Sequence, residues 1–337
     1  MRYRLFGRSG LRVSELALGT MTFGEAWGWG APREESRKIF TRFAEAGGNF
    51  VDTANNYTEG ESETFVGEFV RAERERWVVA TKYTLTTQRD DPNAGGNHRK
   101  NLVRSLEGSL RRLGTDYVDL LWLHMRDATT PVEEAVRALD DQVRAGKVLY
   151  VGISDSPAWV AAQANTLAEL RGWTPFVGLQ LPYSLLDRDS ERDLFPMAAA
   201  FGLTITAWGT LEQGILSGTR PDERLRERGQ LSERAQCAVD ALQAVAAAHD
   251  CSPARVAIAW VRSRPAPPEI VPILGTRTEQ QMLDNLGALE VELTPEEIER
   301  LDSVAAPRLG FPRDFLESSH VRGLIYGETW ERLVLTA

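Results

Sequence analysis

The chain has 337 residues, with 39 Lys and Arg against 48 Asp and Glu, a formal net charge of −9. That acidity argues against a nucleic-acid or anionic-membrane surface, although one or two local cations suffice for a small polyanionic ligand. Two cysteines (Cys237, Cys251) cannot build a disulfide framework, and four histidines (His98, His124, His249, His320) show no metal-ligand spacing, so no metal is expected. Hydrophobic residues make up 42% of the chain, an ordinary globular share, and no apolar run approaches the roughly 20 residues of a membrane span. The first residues lack the apolar core of a signal peptide, and the expectation is a soluble cytoplasmic protein.

In chain order, Tyr3–Phe6 and Leu11–Ser14 read as a hairpin around Gly7–Gly10, and Glu15–Gly19 as a buried strand. Arg33–Ala46 reads as a helix stopped by Gly47 and Gly48, then Asn49–Asp52 as a strand, Ser62–Ala72 as a helix and Trp77–Lys82 as a strand. Lys100–Leu113 (helix), Val118–His124 (strand), a helix opened by Pro131, Lys147–Ile153 (strand), Pro157–Leu170 (helix) and Phe176–Gln180 (strand) continue the alternation. Arg188–Ala200 (helix), Thr204–Trp208 (strand), Ser232–Ala248 (helix), Ile270–Ile273 (strand) and Thr278–Leu289 (helix) follow, with a final helix capped by Thr294. Eight strand–helix alternations without a glycine-rich dinucleotide fingerprint favour a closed (β/α)8 TIM barrel over a doubly wound sheet. The expected domain is single: a hairpin over 1–14, the barrel and terminal helix over 15–303, and an irregular tail over 304–337 that folds over the active-site mouth.

In such a barrel chemistry collects at the carboxyl ends of the strands. Asp52, Lys82 and His124 stand at three neighbouring strand ends, and Tyr57 lies five residues past Asp52. Singly, each reads as a cap, a solvated end or a core residue. Together they supply what carbonyl reduction needs. A phenol, with an ordinary pKa of about 10, becomes a better proton donor beside a buried ammonium. Asp52 would keep Lys82 charged, and His124 would share the charge growing on the substrate oxygen.

Three segments closely resemble the aldo-keto reductase family: Gly48 to Ala54 with Tyr57 and Gly60-Glu61-Ser62-Glu63; Leu113 to Leu120 running on to His124; and Val271 to Arg277 running on to Asn285-Leu286-Gly287. The resemblance covers nearly the whole chain in order. It implies an NADPH/NADP+-dependent barrel enzyme whose catalytic tetrad falls on Asp52, Tyr57, Lys82 and His124. It also implies cofactor contacts from Gly19, Thr20, Met21, Asp52, Ser154, Gln180, an aromatic stacking residue at Trp208, and the loop Gly209, Thr210, Leu211, Gly214, Gly218. Asp155 stands where the family has Asn. It either holds the carboxamide amino group, is protonated, or points elsewhere. The family's loop Lys is missing, with Arg220 nearby. Gly275, Thr276, Arg277, Gln281 and Asn285 match the adenosine-end segment; Arg277 either pairs with a ribose 2′-phosphate, favouring NADPH, or caps a surface turn.

Phe23, Trp27 and Trp29 either wall the substrate pocket or pack against Trp330 and Phe315 of the tail. Arg126 either meets an anionic substrate group or makes a surface ion pair with Asp127 or Asp90. The expected activity is NADPH-dependent reduction of an aldehyde or ketone, ketosugars included, to an alcohol. The other functional class left open is a cofactor-binding regulatory subunit of the same fold with little turnover. A small carbonyl compound is the expected partner, with no nucleic acid and no membrane.

Overall fold

The computed structural model describes residues 1–218 and 231–333. The chain opens with β1 (Tyr3–Leu5) and β2 (Arg12–Ser14), paired antiparallel with Leu5 opposite Arg12. Eight parallel strands follow: β3 (Ala17–Gly19), β4 (Phe50–Asp52), β5 (Val78–Tyr83), β6 (Val118–Leu123), β7 (Val148–Ser154), β8 (Phe176–Pro182), β9 (Thr204–Trp208) and β10 (Ile270–Gly275). Each pairs with the next, and β10 returns to β3, closing the barrel. The helices are α1 (Arg33–Glu45), α2 (Glu61–Val70), α3 (Arg99–Leu113), α4 (Val132–Arg144), α5 (Ala158–Arg171) and α6 (Leu194–Phe201). After the gap come α7 (Glu233–Ala248), α8 (Pro253–Arg262), α9 (Glu279–Leu286), α10 (Pro295–Val304), α11 (Arg313–Glu317) and α12 (Ser319–Tyr326). This is the (β/α)8 barrel that the alternation predicts.

Strands covered on both faces read as continuous apolar runs, and every residue of β5 and β6 is buried. The apolar residues fall into two layers. Ile39, Phe43, Leu102, Leu106, Leu139 and Val160 belong to the larger layer, where helices pack on the outside of the barrel. The inner layer holds Phe50, Val78, Ala80, Leu120, Trp122, Val271 and Ile273. Phe6, from the hairpin, closes that interior edge-on against Phe50 (5.6 Å) and Trp122 (6.3 Å). Gly152 and Gly178 make room for the indole: a Cβ at position 152 would lie 2.3 Å from Trp122 Cζ3.

Three elements depart from the sequence reading, one of them α8, which it omits. The helix expected over Arg188–Ala200 begins only at Leu194, after a short 3-10 turn at Asp189–Glu191. Pro196 lacks an N–H to bond backward, and Arg188 is engaged instead by Glu191 and Asp302. The tail, expected to be irregular, forms α11, α12 and a 3-10 turn over Gly327–Arg332. It docks on the β8–α6 segment, where Arg313 donates to the Glu191 carbonyl and Arg192 to that of Arg308.

Candidate active site

Side chains of a strand alternate between its faces, so the inner layer extends upward in steps of two. From Phe50 the next inward residue is Asp52; from Val78 and Ala80 it is Lys82; from Leu120 and Trp122 it is His124. Gly152 leads to Ser154 and Gly178 to Gln180, and the pairs 152/178 and 154/180 lie side by side in the β7–β8 register. One alternation therefore turns an apolar interior into a polar layer at the carboxyl-terminal mouth.

Lys82 is fully buried and at its centre. Its Nζ donates to Asp52 Oδ2, to the Thr53 carbonyl at 2.8 Å and to the Tyr57 hydroxyl at 3.1 Å. Gln180 Nε2 donates to the other Asp52 oxygen at 2.9 Å. Burial works against the ammonium, but Asp52 and Tyr57 outweigh it and leave the Lys82 pKa raised. The His124 ring stands edge-on to Tyr57 with centroids 6.1 Å apart. Burial, with the charge of Lys82 adding to it, lowers its pKa to about 3, and the imidazole is neutral at physiological pH. For Tyr57 the ammonium does pull the pKa down, as expected, but burial pushes it up more strongly and the net direction is upward. The phenol thus holds its proton throughout the neutral range.

Tyr57 stands on a strained turn. The next two residues, Thr58 (φ 44°, ψ 48°) and Glu59 (φ 54°, ψ 27°), are both left-handed, which costs L-residues roughly 1–2 kcal/mol each. Thr84, just past β5, has φ 113°; its hydroxyl donates to Asn97 Oδ1 at 2.7 Å and accepts the His124 N–H at 3.3 Å. Nothing in the sequence pattern marks Thr84, because a β-branched residue carries no signal for a left-handed backbone.

The residues proposed for a dinucleotide line the same mouth. Trp208, at the end of β9, is 40% exposed and available for stacking. Its Nε1 donates to Asp155 Oδ1 at 3.3 Å, so Asp155 is turned toward the indole. Burial raises the Asp155 pKa against the opposing pull of that N–H and of Lys82. Ser154 Oγ is buried without a hydrogen-bond partner of normal geometry, Asp155 being its electrostatic neighbour, and Thr276 Oγ1 is likewise buried and unpartnered. Gly209 and Gly275 have open space where a Cβ would stand. Thr210 is buried, Met21 exposed, and Leu211, Gly214 and Gly218 frame the 3-10 turn Glu212–Ser217. Gln281 accepts the Arg277 main-chain N–H through Oε1 at 2.8 Å, and Asn285 is buried one turn further along α9. Open glycine positions, unsatisfied hydroxyls and an exposed indole are what a flat polar ring with a phosphate tail requires, and these residues fit it. Arg220 lies outside the described residues.

Several assignments change. Phe23 is fully buried against Phe69 in the outer apolar layer, so it is a core residue and not a pocket wall. The Thr20 hydroxyl donates to the Asp52 carbonyl at 3.0 Å and meets Ser62 Oγ at 2.8 Å, so it braces the catalytic strand. Gly19 lies so close to β10 that a Cβ would sit 2.6 Å from Ile273, so a side chain is excluded there while its main chain keeps its place at the end of β3. Trp27 packs against Trp29 with the rings tilted (5.6 Å) and meets the Tyr57 ring edge-on (6.4 Å), which favours a pocket wall over packing on the tail. The Arg126 guanidinium lies over the exposed Trp159 ring at 4.7 Å, rather than in an ion pair with Asp127 or Asp90. Asp127 instead accepts the N–H groups of Asn97, Thr129 and Thr130, tying together the loops after β5 and β6.

The closed barrel and the polar layer at its carboxyl-terminal end define a (β/α)8 enzyme. A sequence profile of the Aldo/keto reductase family matches residues 15–306. Norsolorinic acid reductase of Aspergillus flavus is 38% identical, the match covering 93% of this chain and 83% of that protein. Aryl-alcohol dehydrogenase GME11368 of Pestalotiopsis microspora is 38% identical (94% and 85%), and aldo-keto reductase ausK of Aspergillus calidoustus 37% (94% and 85%). The chain belongs to the aldo/keto reductase family and is an NADP-dependent oxidoreductase acting on carbonyl and CH–OH groups.

Proposed function

We propose that this enzyme reduces an aromatic aldehyde or ketone to the alcohol with NADPH, and that Tyr57 supplies the proton. The observation that carries the reading is Lys82 Nζ, buried and bonded at once to Asp52 and to the Tyr57 hydroxyl. When bound, the reduced dinucleotide supplies the hydride that forms the new C–H bond. The carbonyl oxygen then gains the electron pair of the broken π bond, and the Tyr57 O–H gives it a proton. Lys82 stabilises the phenolate that remains, Asp52 holds Lys82 charged, and neutral His124 offers an N–H to the same oxygen. Ser154 and Gln180 would hold the carboxamide, and Trp208, oriented by Asp155, would stack on the nicotinamide. Residues 1–337 act in this reading as one domain.

The aryl class is supported by the ring wall of Trp27, Trp29 and Tyr57, and by a relative named as an aryl-alcohol dehydrogenase. A ketosugar would instead rely on Arg126 for its phosphates, and Arg126 is stacked on Trp159. A panel of benzaldehydes, aryl ketones and ketosugars followed by NADPH absorbance separates the two. Tyr57→Phe is expected to lower turnover by about 10²–10⁴-fold with NADPH affinity unchanged. A variant that keeps its rate would refute the assignment of the acid. A wild-type protein that binds NADPH but turns over no carbonyl would revive the regulatory-subunit alternative.

A further inference from the structure

The loop between β3 and α1 is fastened to the turn that carries Tyr57. Glu61, the first residue of α2, accepts the main-chain N–H groups of Glu25 (2.8 Å) and Ala26 (3.0 Å) on one oxygen. Thr58 donates to the Phe23 carbonyl, and Trp27 Nε1 donates to Glu59 Oε1 at 3.3 Å. The loop is pinched at its neck, where Gly24 N–H reaches the Ala31 carbonyl at 2.9 Å and Ala31 N–H the Thr22 carbonyl at 2.7 Å. Gly24 has φ 106°, and a Cβ there would lie 2.5 Å from Glu61 Oε2, so only glycine permits this approach. Left-handed residues at 58 and 59 persist where surrounding contacts over-determine them, and these are the contacts. Between the neck and the latch sits Trp27, its ring edge-on to Tyr57.

We propose that Glu61 is a positioning residue: it latches the β3–α1 loop onto the Tyr57 turn, fixes Trp27 as a rigid wall of the substrate pocket, and so selects flat aryl carbonyls over small aliphatic ones. This rests on the reductase reading for its substrate and on geometry alone for the latch. Glu61 acts through the loop and does not touch the reacting atoms. Its loss therefore changes the affinity for a substrate that needs the wall, and leaves proton delivery alone. Loss of an ordinary side chain at the start of a helix would change neither the affinity nor the proton delivery. Glu61→Gln keeps an acceptor oxygen in place and is the conservative variant.

The test compares the wild-type enzyme, Glu61→Ala and Glu61→Gln with 4-nitrobenzaldehyde and with propanal, in parallel with hydrogen exchange of the peptide containing Glu25 and Ala26. Glu61→Ala is expected to raise KM for the aryl aldehyde roughly tenfold, with kcat, the pH profile and propanal KM held within about twofold. Glu61→Gln is expected to recover most of the aryl KM. In a Trp27→Ala background the Glu61→Ala change is expected to have no further effect on KM, since the wall it positions is gone. The Glu25 and Ala26 amides are expected to exchange at least about tenfold faster in Glu61→Ala than in wild type. An unchanged aryl KM overturns the selection role, and so does a fall in kcat with a shifted pH profile. Unchanged exchange overturns the latch. If the wild-type enzyme reduces neither aldehyde, the aryl-carbonyl reading fails, and the exchange result still decides the latch.

Discussion

His124 follows β6 with Nδ1 buried and unpartnered, and its pKa of about 3 is a statement about stability as well as charge. In the unfolded chain the imidazole titrates near its ordinary 6.5, so between about 3 and 6.5 the unfolded state binds more protons. Stability from this residue is complete above about 6.5 and is lost as the pH falls toward 3, on the order of 5 kcal/mol in all. Glu15, which burial would raise, is held at about 2 by Arg262 and Arg2 and loses its contribution lower, below the ordinary 4.5. His124→Asn is therefore expected to flatten the melting temperature between about pH 6.5 and 4.5, measured by calorimetry against wild type. A slope unchanged in that window would show that His124 charges without cost. Asp52, Lys82 and His124 are readable because each ends an apolar run, and Tyr57 by its spacing from Asp52; Phe23 misleads because an aromatic just past a strand looks the same whether it turns into the mouth or into the core. Thr84 was not readable at all, since its role depends on a backbone angle that its type does not advertise.

At the level of elements, the amino-terminal hairpin is a plug whose work is done by one ring. Phe6 is fully buried and bridges Phe50 and Trp122 at the end of the barrel away from Lys82. Phe6→Ala is expected to cost about 3–5 kcal/mol in denaturant unfolding while leaving KM for NADPH and for the carbonyl unchanged. A shift in KM would mean that the interior transmits strain to the mouth. Hairpin, strands and most helices were legible from periodicity and from glycine and proline punctuation. The helix α8 was passed over although its signal is complete: Ser252 caps it by accepting the Arg255 N–H and Pro253 occupies its first turn. It lies in the chain directly after α7, where strict strand–helix alternation leaves no place for a second helix. The tail helices carry large exposed apolar residues, among them Phe315, Leu316 and Leu324, which hide the usual amphipathic contrast.

Across the whole molecule, the residues assigned to the dinucleotide run from Trp208 and Ser154 on one side of the mouth to Arg277, Gln281 and Asn285 beyond β10. The chain as a whole is acidic, so an extra phosphate must be met locally, and Arg277 brings a guanidinium just past β10. Arg277→Ala is expected to weaken NADPH binding by about tenfold or more and NADH binding little, measured by titration calorimetry. Equal weakening of both would return Arg277 to the role of a turn cap. The fold and the expected preference for NADPH are both legible in the sequence, but on signals of very different redundancy. Barrel closure is repeated eight times along the chain, and discrimination between two dinucleotides rests on one side chain.

The half-exposed indole of Trp208, pinned by Asp155 and set apart from the enclosed rings of Trp122 and Trp260, gives the protein an optical reporter of its own. Ultraviolet emission from an indole overlaps the absorption of a dihydronicotinamide and not that of the oxidised ring. With the nicotinamide seated on Trp208 as proposed, light emitted at this position would dim when the reduced cofactor arrives, so its binding is open to titration without a label.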